Sequence, residues 1–376
     1  MKERLPYYLL RLGTSLLAHL PWWLIHTLSR ALAWLMAHLV RYRRRVIREN
    51  LRNSFPERSE AEQRQIEWDF YLQFAYNFLS TPRLLRLPPE VIMCQHFLIP
   101  DLTPLQEAVR DHRCAFACLG HLGNWELFST GQLYFDQIGV TMDQVYRRLD
   151  DKAMDELFAE QRRRFGALLT PKTLVVRSLV EHLREETDRR YLMAMITDQA
   201  PGVDHANYFT DFLHQPTAML DGVERLARRY DLPVLYFDIE RTGPMRFIGH
   251  FHLITSTPRE LPEDEITERY ARLLEATIRR PMAMEPQEVE ASPRALSPCH
   301  TQPEPKGSAG AVAHIAASFS LPHTYHIRLP TTPYAPHPRK RDRRRCPQLE
   351  WTSATRAVPP LVDRAYPQLC RAHHRG

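Results

Sequence analysis

The sequence has no CxxC pair, and its six cysteines (Cys94, Cys114, Cys118, Cys299, Cys346, Cys370) are scattered over 376 residues. That spacing sets no disulfide framework and argues against a structural zinc site, and it fits a reducing compartment. Cys114 and Cys118 lie within an apolar run, where each reads as a small buried hydrophobe. Long apolar runs are also lacking. The longest charge-free stretch near the N-terminus is the eighteen residues between Arg11 and Arg30, interrupted by Pro21, His19 and His26. A bilayer span needs about 20 apolar residues, so this stretch is marginal for crossing. No small-residue cleavage site follows it, which argues against a cleaved signal peptide. A strong excess of charge is missing as well: 50 Lys+Arg stand against 44 Asp+Glu, with a pI near 9.0. The modest positive balance suits anionic lipid, nucleic acid or an acidic protein without choosing among them.

Three segments differ in character. Residues 1–48 are apolar and then basic, ending in Arg41-Tyr-Arg-Arg-Arg45, with Trp22, Trp23 and Trp34 suited to a lipid–water interface. They predict a helical membrane anchor, either one poor span or two helices lying in the interface; a buried helical hairpin is the alternative. Residues 49–280 carry the patterned domain. From residue 281 the amphipathic patterning stops, and fifteen of the thirty prolines fall in the last 96 residues. That composition predicts a disordered tail.

Within the middle segment, Ser59-Glu-Ala-Glu62 is a capping box opening a helix that runs through Ile66, Phe70, Phe74 and Phe78. Short apolar runs at Cys114–Leu119, Tyr191–Thr197, Pro233–Ile239 and Phe247–Ile254 read as strands. Asp151–Phe165, Leu174–Glu186, Gly222–Tyr230 and Ile266–Arg280 read as helices. The alternation predicts an α/β fold, a mixed central sheet flanked by helices, with functional residues on loops at strand ends.

Gly120-His-Leu-Gly-Asn-Trp-Glu126 comes directly after the first of these strands. A turn there lets the His121 imidazole and the Glu126 carboxylate approach. A carboxylate on one ring nitrogen fixes the tautomer and raises basicity at the other, as a general base requires. Gly120 and Gly123 permit turns that a side chain would block, and an amide there is placed to face an oxyanion. On its own, His-x4-Glu is a short and common pattern. A metal-dependent hydrolase using the pair as ligands lacks a third ligand at recognisable spacing.

The segment resembles the catalytic motif of the bacterial lipid A biosynthesis (lauroyl/myristoyl) acyltransferase family, a branch of the lysophospholipid acyltransferase superfamily. Other blocks resemble the family in its order: Arg45-Val-Ile-Arg-Glu-Asn-Leu-Arg-Asn-Ser-Phe-Pro-Glu57, Val145-Tyr-Arg147, Arg162-Arg-Arg-Phe-Gly166, Met195-Ile-Thr-Asp-Gln-Ala-Pro-Gly202, and Phe212–Thr217 with Gly222–Ala227. The resemblance covers residues 1–280, and the joint order is more specific than any one block. It implies His121 as general base and Glu126 as its orienting partner. Gly123, Asn124, Arg147, Asp198 and Gln199 are the expected substrate contacts, with the alternative that Asp198 and Gln199 only tie loops together. Glu224 reads as a local structural pair. By resemblance the donor is an acyl chain on acyl carrier protein and the acceptor is a lipid A precursor hydroxyl at the cytoplasmic face of the inner membrane. Another membrane lipid as acceptor, or a non-catalytic membrane-surface protein, are the alternatives. No metal, cofactor or nucleic acid is implied.

Family members end in a Trp-Leu-Trp-x-His-Arg-Arg-Trp-Lys-like stretch, whereas this chain reads Pro281-Met-Ala-Met-Glu-Pro-Gln-Glu-Val-Glu290. Shifting the codons of Met282–Glu290 by one base forces Trp at positions 282 and 284 and Lys or Arg at 287, 288 and 290. It also allows Leu at 283, His at 286 and Trp at 289. The missing stretch is thus readable in the other frame, and a frameshift near residue 280 is expected. Resequencing the gene across these codons should show one inserted or deleted base; an unshifted read sinks the idea.

Overall fold

The computed structural model describes residues 5–202, 206–243, 245–282 and 312–313. The expected disordered tail, residues 281–376, lies outside these apart from a short antiparallel pairing of Pro281–Met282 with Val312–Ala313.

Two N-terminal helices come first, α1 (Leu5–His19) and α2 (Trp22–Trp34), the latter running on as a π-helical turn through Val40. Pro21, with its fixed φ, separates them. Among the described residues, no helix is long and apolar enough to cross a membrane, so the single-span form of the expected anchor is not present. The cause is local: Pro21 divides the charge-free stretch, and Arg30 interrupts the apolar run of α2. Next come α3 (Arg44–Ser54) and the long α4 (Glu60–Leu84), which opens with the predicted capping box. There the Glu62 N–H donates to Ser59 Oγ (3.3 Å) and the Ser59 N–H to Glu62 Oε2 (2.8 Å).

The remaining elements alternate: β1 (Phe97–Leu98), α5 (Thr103–Arg110), β2 (Cys114–Leu119), β3 (Val140–Tyr146), α6 (Lys152–Arg163), β4 (Leu168–Pro171), α7 (Val175–Arg184), β5 (Arg190–Ile196), a hairpin of β6 (Tyr208–Phe212) and β7 (Gln215–Met219), α8 (Gly222–Tyr230), β8 (Val234–Gly243), β9 (Arg246–Thr255) and α9 (Glu265–Arg279). Seven strands form one mixed sheet in the order β1-β9-β8-β2-β5-β3-β4. All neighbours are parallel except β8 and β9. The expected α/β sheet flanked by helices is therefore present. The β3 and β4 strands and the β6–β7 hairpin are not among the strands expected from the sequence.

Helices cover both faces, so β2 is buried at every position. Its side chains alternate between two cores. Cys114, Phe116 and Cys118 face a core shared with α4, α8 and α9; Ala115, Ala117 and Leu119 face one built with α5 and Phe128. Burial pushes the thiols of Cys114 and Cys118 up to about 12, in keeping with two inert packing residues.

The edges of the fold are tied by buried polar groups. Glu224, 3% exposed, accepts from the Asp264 N–H (2.7 Å), the Thr267 N–H (3.0 Å) and the Thr267 hydroxyl (2.7 Å). It thereby satisfies orphan donors at the start of α9, the structural role expected of it from the sequence.

Candidate active site

Parallel strands β2 and β5 end together, with Leu119 paired to Ile196. Two residues further along each chain stand His121 and Asp198, so the sheet register itself brings them side by side. The Asp198 carboxylate makes two contacts with the histidine: the His121 N–H donates to Oδ2 (2.7 Å) and the ring Nδ1 lies 2.7 Å from Oδ1. Because an ionised carboxylate only accepts, Nδ1 is the donor in this pair, and in the neutral ring the lone pair then lies on Nε2. The Asp198 side chain is 1% exposed and that of His121 11%, so the ring reaches solvent while its partner does not.

This geometry corrects one expectation. The orienting partner of His121 is Asp198, and no hydrogen bond joins His121 to Glu126 among the described residues. Glu126 turns instead to α6, where Arg162 grips it with two charge-assisted bonds, Nε to Oε2 at 3.1 Å and Nη2 to Oε1 at 2.6 Å. Burial disfavours the Arg162 charge, but Glu126 more than offsets it and holds the guanidinium above its ordinary pKa. Trp125 sits between the two pairs. Its ring meets the His121 ring edge-on at 5.1 Å, and the Arg162 guanidinium lies 5.7 Å from its centroid. Trp125 thus packs against both the His121–Asp198 pair and the Glu126–Arg162 pair.

The motif loop is fastened from behind by α4 and α9. Gly123 adopts φ +57°, and a Cβ there would meet Ile239 Cγ2 at 3.1 Å, so both backbone shape and close approach require glycine. Asn77 Nδ2 donates to the Gly123 carbonyl (2.7 Å), and one turn on, Thr81 pairs with Asn124 (3.1 Å). Asn124 is only 1% exposed. It is committed to α4, a correction to its expected place against substrate. From α9, Tyr270 donates to the Leu119 carbonyl (2.9 Å), and Leu274 packs so closely that a Cβ on Gly120 would lie 2.8 Å from its Cδ1.

The other expected contacts divide. Arg147 is exposed at the carboxyl end of β3, one strand beyond β5, and makes no ion pair among the described residues. Gln199 is half-buried beside Asp198. Asn77, Thr81, Trp125 and Arg162 are site residues that the sequence did not single out. Trp125 and Arg162 carried a signal only as members of quoted blocks, and Asn77 and Thr81 carried none. Among the described residues no group of three His, Cys, Asp or Glu side chains is placed to hold a metal ion.

The carboxylate-oriented imidazole stands at the carboxyl edge of parallel strands, where ligands of open α/β sheets bind. The family comparison adds the class of protein. The family described as bacterial lipid A biosynthesis acyltransferase matches residues 3–285, and the chain belongs to it. It is an acyltransferase, and its family implies a lipid acceptor. No curated protein matches the chain significantly.

The two carboxylates can be separated experimentally. Asp198→Ala should lower kcat by about 10²- to 10⁴-fold, the range of general-base assistance, with little change in KM. Glu126→Ala strands the buried Arg162 charge, so it should lower stability by about 3 kcal/mol in urea unfolding. A larger kcat loss in Glu126→Ala than in Asp198→Ala, at equal folded fraction, would return Glu126 to the role of orienting partner.

Proposed function

We propose that the chain transfers a fatty acyl group from acyl carrier protein to a hydroxyl of a lipid A precursor, with His121 as general base. Nε2 takes the proton of the acceptor hydroxyl as its oxygen attacks the thioester carbonyl. The resulting oxyanion intermediate collapses, the carbon–sulfur bond breaks, and the proton passes from the imidazolium to the departing thiolate. Asp198 holds Nδ1–H throughout and lies against the imidazolium formed midway. The observation that carries this reading is the double grip of Asp198, which fixes the ring and leaves Nε2 turned away from the carboxylate. Gln199 and Arg147 stand at neighbouring strand ends, where the donor thioester or its phosphate would lie. The patterned domain, residues 49–280, is the catalytic unit in this reading.

The location is argued from the surface of the N-terminal helices. Leu5, Leu9, Leu12 and Leu16 form an exposed stripe on α1 at helical spacing; Trp23, Trp34, Leu39 and Val40 are exposed beyond it, next to Arg41, Arg43 and Arg45. Apolar and aromatic exposure on this scale beside arginines is the pattern of helices lying in a lipid interface, at the inner membrane's cytoplasmic face.

Labelled acyl carrier protein thioester and a lipid A precursor give the decisive assay. Wild type should transfer label, and His121→Ala should lose about 10²- to 10⁴-fold; equal transfer by both removes His121 from the chemistry. In a separate measurement, the protein should float with vesicles containing anionic lipid. Replacing Leu9, Leu12 and Leu16 by Glu should release it, since each buried Leu is worth about 1.5–3 kcal/mol. Unchanged flotation of that variant would exclude α1 as the lipid-facing element.

A further inference from the structure

Arg241 lies near the end of β8 where that strand passes the motif loop. It is 6% exposed, yet every described group it contacts directly is neutral. Its Nε donates to the Gly243 carbonyl (3.2 Å), an Nη donates to Gln73 Oε1, and the guanidinium lies 5.3 Å from the Tyr76 ring. Only two of its five N–H donors are engaged in these bonds. The charged and titratable groups around it come from two helices. Asp69 on α4 is the carboxylate whose charge acts on Arg241; Gln65 binds it at 2.9 Å, and it makes no ion pair with Arg241 among the described residues. His26 on α2 is paired with the Tyr76 hydroxyl. Burial holds Arg241 down to about 10 and Asp69 up to about 6, so neither charge is fully compensated by the other.

The position of this cation relates it to the chemistry. Ile239, two residues earlier on the same face of β8, is the residue against which Gly123 packs. Gln73, which holds the guanidinium, precedes by one helical turn Asn77, which holds the Gly123 carbonyl. One turn is about 5.4 Å. Gln73 and Asn77 are both half-buried, and Gln73 Nε2 donates to Asn77 Oδ1 (2.6 Å), so one run of side chains links the guanidinium to the loop. A buried guanidinium without an ion-pair partner is costly, and its fork of donors matches a phosphate.

We propose that Arg241, steadied by Gln73, is a substrate phosphate subsite of the acyl-transfer reaction. The inference rests on the proposed function for the existence of such substrates. A phosphate ester on the lipid acceptor and the phosphodiester of the donor's carrier arm share this chemistry.

Kinetics on the full chain in detergent tell the sources apart. Arg241→Gln should raise KM about 10- to 100-fold for one substrate, the loss of a charged hydrogen-bond set, while kcat stays within a few-fold. A rise confined to the acceptor, absent with its dephosphorylated analogue, assigns the acceptor phosphate. A rise confined to the carrier thioester, absent with a pantetheine thioester lacking phosphate, assigns the donor. Unchanged KM for both substrates overturns the proposal. So does recovery of wild-type KM in the Arg241→Gln/Asp69→Asn double variant, which would reduce Arg241 to a structural counter-charge. If Arg241→Gln does not fold, Arg241→Lys takes its place, with a smaller KM rise expected from loss of the fork. Thermal stabilisation by inorganic pyrophosphate, present in wild type and lost in Arg241→Lys, tests the subsite without turnover. Its absence in wild type overturns the subsite, whereas stabilisation without acyl transfer overturns the proposed function alone.

Discussion

One carboxylate sets the geometry on which the site depends. Asp198 holds both the main-chain N–H and the ring Nδ1 of His121, each at 2.7 Å. A single contact would leave the imidazole free to rotate about its side-chain torsions; gripping the backbone as well makes the ring and the end of β2 one rigid piece. The grip requires that β2 and β5 be parallel neighbours ending in register, which in turn requires the helices that bury both faces of the sheet. The peptide before His121 has no room for a side chain, because Leu274 of α9 already occupies that space. The geometry at His121 is thus a consequence of sheet register and helix packing, and a change in α9 far along the chain reaches His121 through Gly120.

The second organising element is α4. Its capping box fixes where the helix starts, and one strip of its surface then meets the site at successive turns. Gln73 holds Arg241, Asn77 holds the Gly123 carbonyl, and Thr81 holds Asn124. At its far end Arg83 donates to the carbonyls of Ala18 (3.2 Å) and Leu20 (2.7 Å), satisfying groups left open where α1 stops, and its guanidinium lies 4.6 Å from the Trp22 ring. The same helix therefore connects the apolar N-terminal surface to the loop that carries His121. Such a connection fixes the position of His121 relative to the outward face of α1.

Much of this was legible in the sequence, for identifiable reasons. The strand Cys114–Leu119 stands out because burial on both faces removes polar alternation, and Gly222–Tyr230 because its charge falls on one face. His121 was legible because it comes after such a strand, between glycines. The partner was misread because proximity in sequence was taken for proximity in space. Glu126 is five residues away, but the 3-10 turn from Trp125 to Gly131 carries it toward α6. Asp198 is 77 residues away and adjacent only through strand pairing, which no local pattern encodes. Had β2 and β5 been known as parallel neighbours, the equal offsets of His121 and Asp198 from Leu119 and Ile196 would have identified the pair. The edge strand β4 and the β6–β7 hairpin escaped because Leu168–Pro171 and Tyr208–Met219 include proline and exposed positions, which weaken the strand signal.

The N-terminal helices show how a marginal signal resolves physically. A charge-free stretch of eighteen residues is close to the length of a span, yet α1 has 15 residues and α2 has 13, each about 20 Å long against a hydrocarbon core of about 30 Å. Pro21 makes the division, and the carbonyls it leaves unpaired at Ala18 and Leu20 are taken by Arg83. Inside a bilayer that arginine would be expensive; here it sits on α4 and is held by carbonyls of α1 and the turn after it. At its other end α1 is tied to α6, where Tyr7 donates to Glu160 (2.6 Å) and Arg11 pairs with the same carboxylate (3.2 Å). Helices fastened in this way at both ends cannot turn to stand across a membrane without losing those bonds. Their exposed leucines and tryptophans stay on the outer side of that fastening, so the polar contacts within and the apolar stripe without are both kept.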